Sequence, residues 1–167
     1  MIHLYFGDGK GKTSAAAGMA IRAAGNGRKV AFVQFMKGGF SGEIEILRNI
    51  ENIAVFRSRR DLGFFRDMSD EERAEAAQIC LELLEKGRQA AANGGFLILD
   101  EITHAVNYGL APEERVKEIL LAKDMEIVLT GRKPKEFMIE SADYVSEIKK
   151  IKHPYDAGAA ARKGVEF

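Results

Sequence analysis

Nine residues near the start of the chain, "FGDGKGKTS" (Phe6–Ser14), combine three alternating glycines, two lysines and two neighbouring hydroxyls. This is chemistry for a polyphosphate. Gly7, Gly9 and Gly11 let the backbone turn sharply and aim its N–H groups inward, with Asp8 between them. Lys12 is placed to reach phosphate oxygens, Lys10 adds a second cation, and the Thr13 hydroxyl, next to Ser14, suits Mg²⁺. The usual pattern G-x-x-x-x-G-K-[ST] has glycine where this chain has Phe6. The spacing therefore departs from that of an ordinary phosphate loop. Farther on, the apolar run "FLILDE" ends in two acids, Asp100 and Glu101. At the carboxyl end of a strand they would face the loop and hold Mg²⁺ directly or through water. Taken singly, the first feature is also compatible with a glycine-rich turn carrying solvated lysines, and the second with a strand that runs into a solvated acidic turn. Together they favour nucleotide binding.

Such a loop works only between a strand and a helix, and the flanking sequence supplies both. Ile2–Phe6, Lys29–Phe35, Ile53–Arg57, Phe96–Asp100, Glu126–Thr130 and Tyr144–Ile148 are short, mostly apolar and rich in β-branched or aromatic residues. They read as strands covered on both faces. Between them lie helical segments. Thr13–Ala24 is alanine-rich and stops at "GNG", a C-terminal cap signal. Ser69–Asn93 opens with Ser69 and Glu72 at capping-box spacing. Pro112 opens a helix through about Lys123, and Pro134 a short one. Strand–helix alternation implies parallel strands with right-handed crossovers. The expected fold is α/β, a three-layer P-loop NTPase (RecA-like) arrangement with a mostly parallel sheet of about six strands, in one domain over residues 1–167. Arg57–Asp70 breaks the rhythm as a polar, aromatic-containing loop. Lys152–Phe167 shows turn signals without a period.

Composition narrows the function further. The 167 residues carry 25 basic and 25 acidic side chains, for zero formal net charge. That argues against a general nucleic-acid binder. The single cysteine, Cys80, sits beside Ile79, Leu83 and Leu84 at helical spacing and reads as a core residue. His3, His104 and His153 lack metal-ligand spacing. The start shows no secretory signal, and no apolar run reaches about 18 residues. A cytoplasmic protein without a membrane span is expected.

From Gly7 to Gly38, "GDGKGKTSAAAGMAIRAAGNGRKVAFVQFMKG" resembles the opening of the CobA-type corrinoid adenosyltransferases, whose loop reads G-x-G-K-G-K-T. The likeness continues in order through "LILDEI", "YGL", "LTGR", "ADYVSEI" and "KHPYDAGAAARKGVEF", across essentially the whole chain. The resemblance implies transfer of the 5′-deoxyadenosyl group of ATP to the Co(I) centre of a corrinoid, with release of triphosphate, in making or salvaging the vitamin B12 coenzyme. It also implies that ATP lies reversed in the loop, so that C5′ rather than the γ-phosphate faces the attacker. Mg²⁺ or Mn²⁺ would accompany ATP, on Thr13, Asp100 and Glu101. Arg22 and Arg132 match family positions and are candidate ATP contacts; an ordinary surface arginine is the competing reading for each. The family's G-F-x-W segment, which presses on the corrin and helps displace its axial ligand, corresponds to "GFFR", Gly63–Arg66. Phe64 matches, Arg66 stands at the tryptophan position, and Phe65 is the candidate substitute. The chain opens at its first expected strand, so the cover that some members gain from an N-terminal extension is not expected. A reduced flavin or flavoprotein is the implied electron donor, and a homodimer the common assembly. A nucleoside kinase on the same fold and a nucleotide-switched binding module are the competing functions.

Overall fold

A computed structural model describes residues 1–58, 67–122 and 124–165. Six strands form one sheet: β1 (Ile2–Phe6), β2 (Val30–Gln34), β3 (Ile53–Arg57), β4 (Phe96–Asp100), β5 (Glu126–Gly131) and β6 (Tyr144–Glu147). Their order is β3-β2-β4-β5-β1-β6, and every neighbouring pair is parallel. All six strands thus form where apolar, β-branched runs predict them, and the α/β P-loop-like class holds.

Helices cover both faces. On one side α1 (Lys12–Gly25) and α2 (Gly42–Leu47) pack on Val30, Phe32, Ile98 and Val128. On the other, α3 (Asp70–Ala91), α4 (Ile102–Asn107), α5 (Glu113–Leu120) and α6 (Glu136–Ser141) close over Leu4, Val33, Leu97, Leu99, Ile127 and Leu129. The alternation along each strand assigns each residue to one of these two cores. The α1 stripe is built from Ala16, Ala17, Ala20, Ala23 and Ala24, whose small side chains let the helix lie close against the sheet.

Local signals act as the sequence suggests, with four corrections. Ser69 accepts from the Glu72 backbone N–H while the Glu72 carboxylate accepts from Ser69 N–H, the reciprocal cap that starts α3. Cys80 is 1% exposed on that helix, and burial pushes its thiol up to about 11. The first correction concerns Pro112, which caps α5 from outside rather than occupying its first turn. Second, the helix after Pro134 starts two residues later, at Glu136. Third, β6 is exposed along its whole length, because it is an edge strand; its apolar residues had suggested cover on both faces. Fourth, α5 ends at Leu120, short of Lys123. The turn signals of the tail include a 3₁₀ turn at Pro154–Ala157, capped by the His153 ring, which accepts from Tyr155 N–H.

Phe6 does not fill the phosphate cradle. It follows Ile2 and Leu4 onto the face opposite α1, where it packs against the core. The chain then turns sharply the other way. Gly7 has φ +112°, and a Cβ at Gly9 would lie 2.7 Å from the Ile148 carbonyl oxygen that its own N–H hydrogen-bonds. Only glycine permits that approach of loop to the end of β6.

Candidate nucleotide site

The site lies at the carboxyl edge of the sheet, where loops leave β1, β2, β4 and β5. Register builds its floor. Gln34 on β2 stands beside Asp100 on β4. On β5, Val128 pairs with Ile98, which sets Thr130 level with Asp100 two residues on. All three side chains point to the α1 side. Asp100 is fully buried. Its Oδ1 accepts from Thr130 Oγ1 at 2.7 Å and from Thr13 Oγ1 at 3.0 Å; its Oδ2 accepts from Gln34 Nε2 at 3.0 Å. Burial nevertheless pushes the Asp100 carboxyl above its ordinary value, against the opposing pull of Lys37 and the Gln34 hydrogen bond. Burial thus makes a negative charge costly at this position, a cost that a cation would offset.

Above this floor the phosphate loop closes a cavity of about 360 Å³, lined by Asp8 through Ser14, Gln34, Lys37, Glu101, Arg132 and Val165 among others. Lys12 is 8% exposed, and its ammonium donates to the Gly9 carbonyl at 2.7 Å. Burial lowers its pKa; Glu101 pulls the other way, and Arg132 and Lys37 push it down again. Among the described residues this buried cation hydrogen-bonds only its own loop, which leaves it ready for an anion. Arg132 lies 3.8 Å from Asp8 across the mouth, both side chains exposed. Lys10 donates to the Val165 carbonyl at 2.7 Å, and Lys163 sits over the Phe40 ring at 5.8 Å, so the tail crosses the rim of the cavity.

Glu101 caps α4 with a left-handed backbone, φ +63°. Its N–H donates to Thr130 Oγ1 at 2.8 Å, which ties it to the Asp100 network. Its carboxylate hydrogen-bonds His104 Nδ1 and lies 3.9 Å from Lys37. Burial would raise the Glu101 pKa, but the His104 bond and the Lys37 charge hold it below the usual range. An ionised carboxylate thus stands at the cavity wall.

The structure brings Gly7 through Ser14, Asp100, Glu101 and Arg132 together at one edge. Arg22 is apart: it is exposed in the last turn of α1, about 15 Å along the helix from Lys12 at 1.5 Å per residue, and does not line the cavity. Phe64, Phe65 and Arg66 lie outside the described residues. Reading the sequence passed over Gln34, Thr130, Lys37 and His104. The signal for the first two was present: "VAFVQ" and "EIVLT", like "FLILD", are apolar runs that end in one polar residue. Among the described residues, no three His, Cys, Asp or Glu side chains form a metal cluster. Still, oxygen donors converge here. Thr13, Asp100 and Glu101 surround the floor, and Gln34 Oε1 is buried without a partner. A nucleotide-bound Mg²⁺ takes only one or two carboxylates and fills its shell with water and phosphate, so this donor set fits it.

The sequence matches the family model described as "ATP:corrinoid adenosyltransferase BtuR/CobO/CobP" over residues 1–167. It is 36% identical to the corrinoid adenosyltransferase of Escherichia coli K12, covering 100% of this chain and 85% of that protein. It is 38% identical to the corrinoid adenosyltransferase of Pseudomonas aeruginosa, covering 98% of this chain and 82% of that one. It is 35% identical to the corrinoid adenosyltransferase CobA of Salmonella typhimurium, over 100% and 85% respectively.

Proposed function

Because the chain belongs to the ATP:corrinoid adenosyltransferase family, we propose that the cavity holds ATP with C5′ directed outward, toward a corrinoid. The cobalt of the reduced corrinoid is the nucleophile. Its Co(I) electron pair forms the Co–C5′ bond, the C5′–O bond breaks, and that electron pair leaves with triphosphate. No side chain needs to attack. The protein's task is to position the two substrates and to stabilise charge on the leaving group.

Named groups divide that task. Lys12 and the N–H groups of Lys10 through Thr13 receive phosphate oxygens at the α1 N-terminus, with the Lys10 and Arg132 side chains at the rim. Thr13, Asp100 and Glu101 are the residues that would hold Mg²⁺, which supplies positive charge to the polyphosphate. Gln34 and Thr130 orient Asp100 from below. The observation that carries this reading is the buried Lys12 ammonium, which among the described residues hydrogen-bonds only a loop carbonyl, in one cavity with Glu101 and with Thr13, itself bonded to Asp100. Phe64 and Phe65 remain the candidates for contact with the corrin.

The resemblance supports a reduced flavin or flavoprotein as electron donor and a homodimer as the assembly. Among the described residues no helix is long and apolar enough to cross a membrane, which fits a cytoplasmic setting. The test is anaerobic: MgATP and chemically reduced Co(I) corrinoid are mixed with the protein and the visible spectrum is followed. Loss of the Co(I) bands with gain of a light-sensitive alkylcobalt species is expected. An unchanged Co(I) spectrum with several corrinoids would refute the transfer.

A further inference from the structure

Beyond the glycine-rich loop, a second segment points into the same cavity: Met36–Ser41, which follows β2. In an unbroken strand Lys37 would share the face of Phe35, away from Gln34 and the cavity. It does not, because Met36 adopts a left-handed backbone, φ +59°, one of three non-glycine residues with positive φ among those described. That conformation costs energy and persists only where the surroundings impose it. They do so here. The Arg57 guanidinium, at the end of β3, donates to the Lys37 carbonyl at 3.0 Å and to the Gly39 carbonyl at 2.6 Å. The turn is thus clamped from the neighbouring strand, and Lys37 is redirected to the cavity wall.

There it meets Glu101 at 3.9 Å, too long for a hydrogen bond. Glu101 is the other strained residue of the cavity, φ +63°. Two backbones in costly conformations therefore hold an opposite-charge pair at arm's length inside a site built for a polyanion. Lys37 is 46% exposed against 14% for Glu101, so the lysine is the partner free to swing. We propose that Lys37 is a triphosphate-binding residue, paired with Glu101 while the cavity is empty and transferred to the polyphosphate when it arrives. This exchange keeps Glu101 neutralised before binding and frees it afterwards, and it places one more cation on the leaving group. The inference rests on the nucleotide reading of the cavity given above.

Calorimetric binding of inorganic triphosphate in EDTA, and of MgATP, tests it without turnover. Lys37→Met keeps the side-chain length and removes the charge. It should weaken triphosphate roughly tenfold, the loss of one charge-assisted contact. Lys37→Arg should recover most of that loss. Glu101→Gln removes the competing partner and should tighten metal-free triphosphate, and the gain should vanish in the Lys37→Met/Glu101→Gln double variant. A folded Lys37→Met protein within twofold of wild type, or a gain that survives in the double variant, overturns the proposal. Wild-type protein that binds neither triphosphate nor MgATP would instead remove the nucleotide reading, and this inference with it.

Discussion

Asp100→Asn should make the unliganded protein more stable and a poorer binder of MgATP. Asp100 is fully buried and receives three neutral donors, Thr13, Gln34 and Thr130, at 2.7 to 3.0 Å at their closest. Burial wins over those bonds and raises its pKa from 3.8. A raised folded-state pKa has a definite sign. Between 3.8 and the folded value the folded chain binds a proton that the unfolded chain does not, so stability falls as pH rises through that window. Above the folded value the full cost is present. Replacing a buried charge by a neutral group of similar shape recovers about 1–4 kcal/mol in favourable cases. Here the Asn oxygen can still accept from Thr130 and Thr13, but its Nδ2 only donates, so the Gln34 amide must turn its unpartnered Oε1 to receive it; the lower end, about 1–2 kcal/mol, therefore applies. That corresponds to roughly 2–8 °C in Tm for a chain of this size. The assay is thermal unfolding of both proteins from acid to neutral pH. The gap should widen as the pH rises through the window and close as it falls below 3.8. A variant less stable than wild type at pH 7, or a gap that does not shrink in acid, would refute the reasoning about this carboxylate.

Other perturbations follow from the same geometry. Lys12→Met should weaken MgATP by about tenfold to a hundredfold, the worth of a charged hydrogen bond of ~1.5–3 kcal/mol; equilibrium titration checks this, and a change within twofold would place the phosphates elsewhere. Since burial lowers the Lys12 pKa below 10.5, an arriving polyanion should raise it again, and binding at alkaline pH should draw in a proton; calorimetry in buffers of different ionisation enthalpy reads this, and Lys12→Met should abolish it. Gly131→Ala puts a methyl 1.8 Å from Thr103 Oγ1 at φ +150°, which should cost about 2 kcal/mol or more in chemical denaturation and misplace Thr130 and Arg132 on either side. Phe64→Ala should impair transfer from Co(II) corrinoid with a reductant far more than from preformed Co(I); equal losses would remove an axial-ligand role for Phe64.

The strands and the loop were legible because each carries its own local cause. Apolar β-branched runs make strands, three glycines make a turn, and Ser69 with Glu72 starts a helix. What the sequence hid depends on partners far along the chain. Gln34, Asp100 and Thr130 form one polar row only because β2, β4 and β5 are adjacent and in register, and no local pattern states which strands neighbour one another. Lys37 was hidden by a single backbone angle at Met36, imposed by Arg57 from another strand. The helices Gly42–Leu47 and Ile102–Asn107 span six residues each, too short for periodicity to show. Phe6 is the instructive case. It makes the loop's spacing depart from the ordinary pattern, but it is a half-buried residue of β1 that packs against the core and leaves the cradle to the three glycines that follow.

The measurement closest to the central claim is the phosphate product. Phosphorus NMR of an anaerobic mixture of the protein, MgATP and Co(I) corrinoid should show inorganic triphosphate appearing in step with the alkylcobalt species, one for one, because the bond that breaks is C5′–O. ADP appearing instead, with the corrinoid unchanged, would contradict the account: the cavity would then present the γ-phosphate, as a kinase does.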